Sequence, residues 1–496
     1  MAYSTDLFHL IQAMTKSEKR YFKLFSSFQS GNKVYISLFN AISKQETYDE
    51  EKLKKQLKIS AFPTVKTYLY NLILRSLRSQ QLNQNINLQL KDMLKDIEIL
   101  YQKGLYQQCT RLLTKARKVA KQYEKHIYLL ELCQYEHLLT SLNLDPFHRK
   151  KLIEEGYAEV TAAQAAFNQL SDYRNKVLVV TDYIHSEGRR NKNMSDKKKL
   201  ESALKPIIDE STPEFLSYKA GILYYNIKEL YESNELNYQK AYDSSKKFIL
   251  HMESNPLLLN QEINNYLVGL NNLMNMQQSL GLFKELKMNL EKLKSLELPS
   301  ETEKIRAIEY TLPKEVVYYV SIGKYQEGLE QIPSIEKQLR QYEDKMGKPF
   351  LLSLYANVVE LYIVSDNIRK ALQWNNKILN SEEIETYIDY YTNSRLCEII
   401  IHYELSNLEK VDSLIKSYQL LLAKNKGEYQ YENCVLRFLK NLINQEEEKE
   451  LLKSFKSLKE ELLELSKDPF ERGAFYFFDL IPWLDKKIKK YGNKNK

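Results

Sequence analysis

Apolar residues recur every three or four positions along almost the whole chain, which is the period of a helix face. Val65, Tyr68, Leu69, Leu72, Ile73 and Leu77 share one stripe, and Leu38, Phe39 and Ile42 share another. Thr15-Lys-Ser-Glu18 reads as a capping box that opens a helix through Tyr21, Phe22, Leu24, Phe25 and Phe28. Gly31-Asn32 ends it, and Val34 to Ser43 follows as a second helix. Thr47-Tyr48-Asp49 caps a third over Glu50–Lys58. Pro63 is placed to enter a fourth over Val65–Leu77.

From about residue 88 the pattern repeats, as an amphipathic helix, a small or polar break, a large residue two on, and a small residue three further. It occurs as Gly104-Leu-Tyr106-Gln-Gln-Cys109, as Tyr238-Gln-Lys-Ala241, and as Gly281-Leu-Phe283-Lys-Glu-Leu286. It returns as Gly323-Lys-Tyr325-Gln-Glu-Gly328, Asp366-Asn-Ile368-Arg-Lys-Ala371 and Ser406-Asn-Leu408-Glu-Lys-Val411. A residue with a small side chain permits the turn, the large residue wedges between two helices, and the small one lets them approach.

These residues resemble the tetratricopeptide repeat over roughly 95–425, with departures. The breaks at 281, 323, 366 and 406 are spaced 42, 43 and 40 apart, against about 34 in that family. The Trp-Leu-Gly of the family's first helix is absent. The resemblance implies an all-α, right-handed α-solenoid of tetratricopeptide-like hairpins. The expected organisation is a basic N-terminal helical domain over 1–85 and repeats over 86–425, with an irregular section at 147–215. A helical cap over 426–485 and a basic tail over 486–496 complete it. Within the irregular section, 159–166 reads as helical, 175–183 as a second apolar segment, and the polar stretch 187–196 as a long loop or hinge.

Composition strengthens this picture. Only 13 glycines and 11 prolines occur among 496 residues, so long elements joined by short connections are expected. Sandwiches, barrels and doubly wound sheets, which need frequent turn signals, are disfavoured. No uncharged apolar run reaches the length of a membrane span, about 18 residues. The opening residues lack the build of a signal peptide. Four cysteines with no CxxC spacing read as unpaired thiols, so a cytoplasmic location is expected.

The net charge of +8 is uneven: residues 1–80 carry +7, residues 486–496 carry +6, and the body between carries −5. Asp49–Lys58, a turn and Val65–Arg78 resemble the two-helix core of a helix-turn-helix module. The second helix would turn Thr64, Lys66, Thr67, Asn71 and Arg75 outward, with Lys52, Lys54, Lys55 and Lys58 flanking it to neutralise phosphates. Tyr68 and Tyr70 interleave with these polar residues.

Catalytic and cofactor signatures are absent. No GxG occurs, and in Gly323-Lys-Tyr-Gln-Glu-Gly328 a Leu-Glu pair stands where a P-loop needs Lys-Ser/Thr. Cys133 and His137 share a helix face, but a zinc site needs two more ligands, so core packing is the better reading. The chain is therefore expected to be no enzyme, with no cofactor and no metal. Asn226, Asn271, Asn272, Asn275 and Asn357 fall where the first helices of such repeats line a groove. An amide there offers donor and acceptor to a peptide main chain. The leading expectation is a scaffold or adaptor for a protein or peptide. A regulator with a DNA-binding N-terminal domain and a sensing or homodimerising solenoid comes second, and an enzyme with an unrecognised site third.

Overall fold

A computed structural model describes residues 5–27, 34–59, 61–81, 85–142, 146–186, 194–209, 214–425, 430–442, 445, 447–468, 471, 474–475 and 478–494. Every regular element among them is a helix, so the chain is all-α, as its hydrophobic period predicts. No helix among the described residues is long and apolar enough to cross a membrane. The break at Gly31-Asn32 and the first seven residues of the polar stretch 187–196 lie outside the described residues. A helix, Met194–Ile208, takes up the rest of that stretch.

The chain divides into two compact units, 1–168 and 169–496. The boundary expected at 85 instead separates two cores inside the first unit, one drawn from residues 7–77 and one from residues 90–163. The irregular section is occupied largely by one helix, Pro146–Ser186, and not by two segments. Residues 167–174 between the two segments do not interrupt it, because no proline or glycine stands there. Gln169 instead fastens the helix, donating to the carbonyl of Glu214 and accepting from the amide of Leu216, both at 3.0 Å.

Local sequence chemistry sets the N-terminal helices. Thr15 and Glu18 exchange bonds: the Thr15 amide donates to Glu18 at 2.7 Å, and the Glu18 amide donates to the Thr15 hydroxyl at 3.2 Å. Asp49 caps Glu50–Leu57 by accepting from the Lys52 amide at 2.9 Å. The following helix, Phe62–Gln81, places Leu69, Leu72 and Ile73 in the core.

In the second unit neighbouring helices stack in chain order, in solenoid fashion. Tyr218–Asn234 packs on Tyr238–Glu253, Ile263–Ser279 on Phe283–Lys294, Glu301–Ser321 on Tyr325–Tyr342, Lys348–Val364 on Ile368–Leu379, and Ile388–Glu404 on Leu408–Asn425. From the second pair onward, each first helix also touches the first helix of the next pair. Lys348–Val364 is buried nearly all round, because five helices pack on it.

The turns inside these pairs, and inside the pair Ile86–Gln102 and Tyr106–Gln122 of the first unit, share one geometry. Gly104, Leu236, Gly281, Gly323, Asp366 and Ser406 all have φ between 58° and 72°. The amide that follows each reaches back to the carbonyl five residues earlier, at 2.8–3.0 Å. This is the Schellman closure, which satisfies carbonyls left open at a helix end. Glu124 makes the same closure between Tyr106–Gln122 and His126–Ser141, at a position with no sequence signal. The small position of the repeated phrase is buried at all six sites, with Cys109, Ala241, Leu286, Ala371 and Val411 at 0 % exposure and Gly328 buried too. The large position varies: Tyr238, Phe283, Tyr325 and Ile368 are half-buried, and Tyr325 and Ile368 pack against the core, whereas Tyr106 and Leu408, each 43 % exposed, sit at the rim where the second helix opens.

The C-terminal residues also depart from the reading as a tail. Residues 486–494 continue a helix, Ile481–Lys494. Lys486 donates to the Val364 carbonyl at 2.9 Å and pairs with Asp366 at 2.5 Å. Trp483 and Lys487 both bind the Glu404 carboxylate, at 2.5 and 2.6 Å. The lysine run hides a helical stripe in which Leu480, Trp483, Leu484, Lys487, Ile488 and Tyr491 face the core.

Candidate functional site: a polar pocket and a basic face

Three helices of the second unit, Tyr218–Asn234, Tyr238–Glu253 and Ile263–Ser279, enclose a pocket of about 40 Å3. Gly269 makes room for the close approach at its base, since a Cβ there would lie 2.2 Å from the Phe248 ring. Ile222 and Phe248 form the apolar floor, and Leu223, Asn226, Asn265, Val268 and Asn272 stand half-exposed at the mouth.

Two polar groups lie deep in this pocket. The Glu229 carboxylate, 6 % exposed, accepts from Asn272 Nδ2 at 3.0 Å. Burial pushes its carboxyl up to about 7, against a smaller downward pull from Asn272. The Ser245 hydroxyl, 2 % exposed, has no hydrogen-bond partner among the described residues. Asn265 donates to Glu262 at 2.7 Å, and Glu262 also takes Lys219 at 2.6 Å. The pocket is therefore rich in oxygen acceptors and suits a positively charged or donating group.

The five asparagines of the expected groove do not form one site. Asn226 and Asn272 meet in the pocket. Asn271 and Asn275 lie on the same helix as Asn272, half-exposed, outside the lining. Asn357 donates to the Pro313 carbonyl at 3.2 Å, so this donor joins two neighbouring first helices. Glu229 and Ser245 were missed by the sequence reading. Glu229 stands three positions from Asn226 on one helix face, and that spacing was the available signal.

The basic residues near the N-terminus sort into two kinds. Lys52, Lys55 and Lys58 are exposed, as is Arg75. Tyr68, Asn71, Arg75 and Arg78 line an open cavity of about 650 Å3 with Leu72, Leu74, Leu77 and Leu88. Lys54 is half-buried and pairs with Glu50 and Glu51 at 3.1 and 3.0 Å. Lys66, expected to point outward, points inward: it pairs with Glu50 at 2.7 Å and donates to the Tyr48 hydroxyl at 2.9 Å. Its ammonium also lies over the rings of Tyr48 and Phe62. Lys66, first, and then Tyr48 and Lys54 hold the Glu50 carboxyl down at about 2 against its burial. The side of the helix that carries Lys66 is the side that faces Glu50, so this lysine serves the fold.

Cys133 and His137 do not converge on a metal. Cys133 gathers with Glu136 and Glu159, while His137 lies against Gly156. Arg117 bonds Glu136 at 3.1 Å and Glu159 at 3.0 Å, and Lys121 pairs with Glu159 at 2.9 Å. Cations of the chain already hold the carboxylates, and burial pushes the Cys133 thiol up. All four cysteines are buried and unbridged. Compared with known protein families and with curated proteins, the chain matches none.

Proposed function

We propose that the chain is a non-enzymatic scaffold or adaptor whose tetratricopeptide-like hairpins bind a segment of a protein or peptide. The observation that supports this reading is the pocket between successive hairpins. Its mouth carries the half-exposed amides of Asn226, Asn265 and Asn272 above the buried Glu229 and Ser245. Amides flanking a recess suit an extended main chain outside and one side chain inside. Four buried, unbridged cysteines fit a cytoplasmic setting. The test is a titration of the full-length protein with a randomised peptide library. Asn226→Ala and Asn272→Ala are expected to weaken capture; equal capture by the variants counts against the reading.

A second reading has its own support. Thr64, Thr67, Tyr68, Asn71, Arg75 and Arg78 are exposed along Phe62–Gln81, with Lys52, Lys55 and Lys58 exposed on and beside the preceding helix. This basic face suits a nucleic-acid backbone, as in a DNA-binding regulator. Five phosphates neutralised by Lys52, Lys55, Lys58, Arg75 and Arg78 would weaken duplex binding by about 500-fold between 50 and 200 mM salt. Anisotropy of labelled duplex DNA measures this slope. Lys66→Gln should leave the slope unchanged, and a flat salt response removes the reading.

A further inference from the structure

We propose that the pocket at Glu229 receives a primary ammonium group on an alkyl stem, in the form of a lysine side chain of a bound peptide. This rests on the peptide-binding reading above and names the side chain that reading leaves open.

The acceptors point to this chemistry. Glu229 has no ion-pair partner among the described residues and only the neutral amide of Asn272 as a donor. The side-chain oxygens of Asn226 and Asn265 stand at the mouth, and the buried Ser245 hydroxyl lacks a partner among the described residues. An ammonium carries three donors and no acceptor, so it gives Glu229 a counter-charge and Ser245 a hydrogen bond in one placement. A carboxylate or phosphate would meet Glu229 with like charge. A guanidinium is a planar fork of five donors that suits paired acceptors in one plane, whereas Glu229 and Ser245 present their acceptors from two different helices. A single ammonium head is close to a water molecule in size, and the pocket of about 40 Å3 accepts it.

The collar points to the stem. Leu223 and Val268 flank the mouth beside the amides. Lysine buries its methylenes along apolar surface while its head seeks polar partners. Of the lysines on these helices, Lys219 is committed to Glu262 at 2.6 Å, Lys228 lies over the Tyr224 ring and Lys246 over the Tyr242 ring, so the charge is expected from outside the chain.

The test uses the full-length protein and two probes. The first is a pair of randomised twelve-residue peptide libraries with lysine or norleucine fixed at the centre. The second is n-butylammonium, with potassium as its control, followed by calorimetry. The lysine library should be captured at least about tenfold better than the norleucine one, as befits a charge-assisted bond. Glu229→Gln, which keeps the side chain's shape, should abolish that preference, and Ser245→Ala should reduce it. n-Butylammonium should compete, and potassium should not. Equal capture of both libraries overturns the ammonium pocket and leaves peptide binding standing. Binding of n-butylammonium without capture of either library upholds the pocket but overturns the peptide as its source. Potassium competing as well as n-butylammonium overturns the alkyl stem, and no binding by any probe overturns both readings.

Discussion

Glu159 in the first unit and Glu229 in the second are both carboxylates set among helices, and they are handled in opposite ways. Glu159 is gripped by Arg117 and Lys121, which leaves its charge nothing further to attract. Glu229 has only an amide, and burial pushes its carboxyl up to about 7. A carboxylate with its own cations is a strut of the fold. One with only neutral donors costs stability when ionised, and that cost is recovered when a cation arrives. The difference separates a cluster that looks like a metal site from a pocket that suits a ligand.

The largest expected effect lies on the strut side. Arg117→Met leaves Glu136 without its described ion pair and Glu159 with Lys121 alone. Urea unfolding should show a loss of about 3 kcal/mol. A loss under about 0.5 kcal/mol would place Glu159 with Glu229 and break the contrast.

Glu229→Gln should act in the opposite sense, and only where Glu229 ionises. In the unfolded chain this carboxyl titrates near 4.5, and in the fold near 7. Between those values the folded protein holds a proton that the unfolded chain has released, so stability falls as pH rises through that window. The gain from Glu229→Gln should be near zero below pH 4.5 and grow to about 3 kcal/mol by pH 8. Denaturation midpoints at pH 4.5, 6 and 8 measure it, and a gain independent of pH would mean that ionisation is not the cause.

The smallest effect sharpens the pocket itself. Ser245→Ala removes a buried hydroxyl that has no partner among the described residues and should raise stability slightly, by up to about 1 kcal/mol. A clear loss in thermal unfolding would reveal a partner for that hydroxyl and weaken the case for a vacant acceptor.

Much of this architecture was legible because the turns announce themselves. Gly104, Gly281 and Gly323 adopt the left-handed conformation without strain, and Asp366 and Ser406 are small polar residues. Leu236 and Glu124 take the same conformation, yet neither side chain signals it. The long helix Pro146–Ser186 matches no repeat phrase, so its continuity was not legible, and Lys486 and Lys487 were hidden by a charge that tertiary partners absorb. The groove asparagines show the limit most clearly. Spacing places Asn272 and Asn357 on a helix face, but which donors are spent on Glu229 and on the Pro313 carbonyl depends on a helix some 43–44 positions away.

The helix Ile481–Lys494 also has a consequence for the time at which the protein is finished. Stacked hairpins can settle one after another as they leave the ribosome. Val364 and Asp366, however, await Lys486, and Glu404 awaits Trp483 and Lys487. The gap to Val364 is 122 positions, which at about 5–20 residues per second is roughly 6–24 seconds of synthesis. Glu404 waits 79 positions for Trp483 and 83 for Lys487, roughly 4–17 seconds at the same rate. The contacts that close the last hairpins are completed only when this helix has been made.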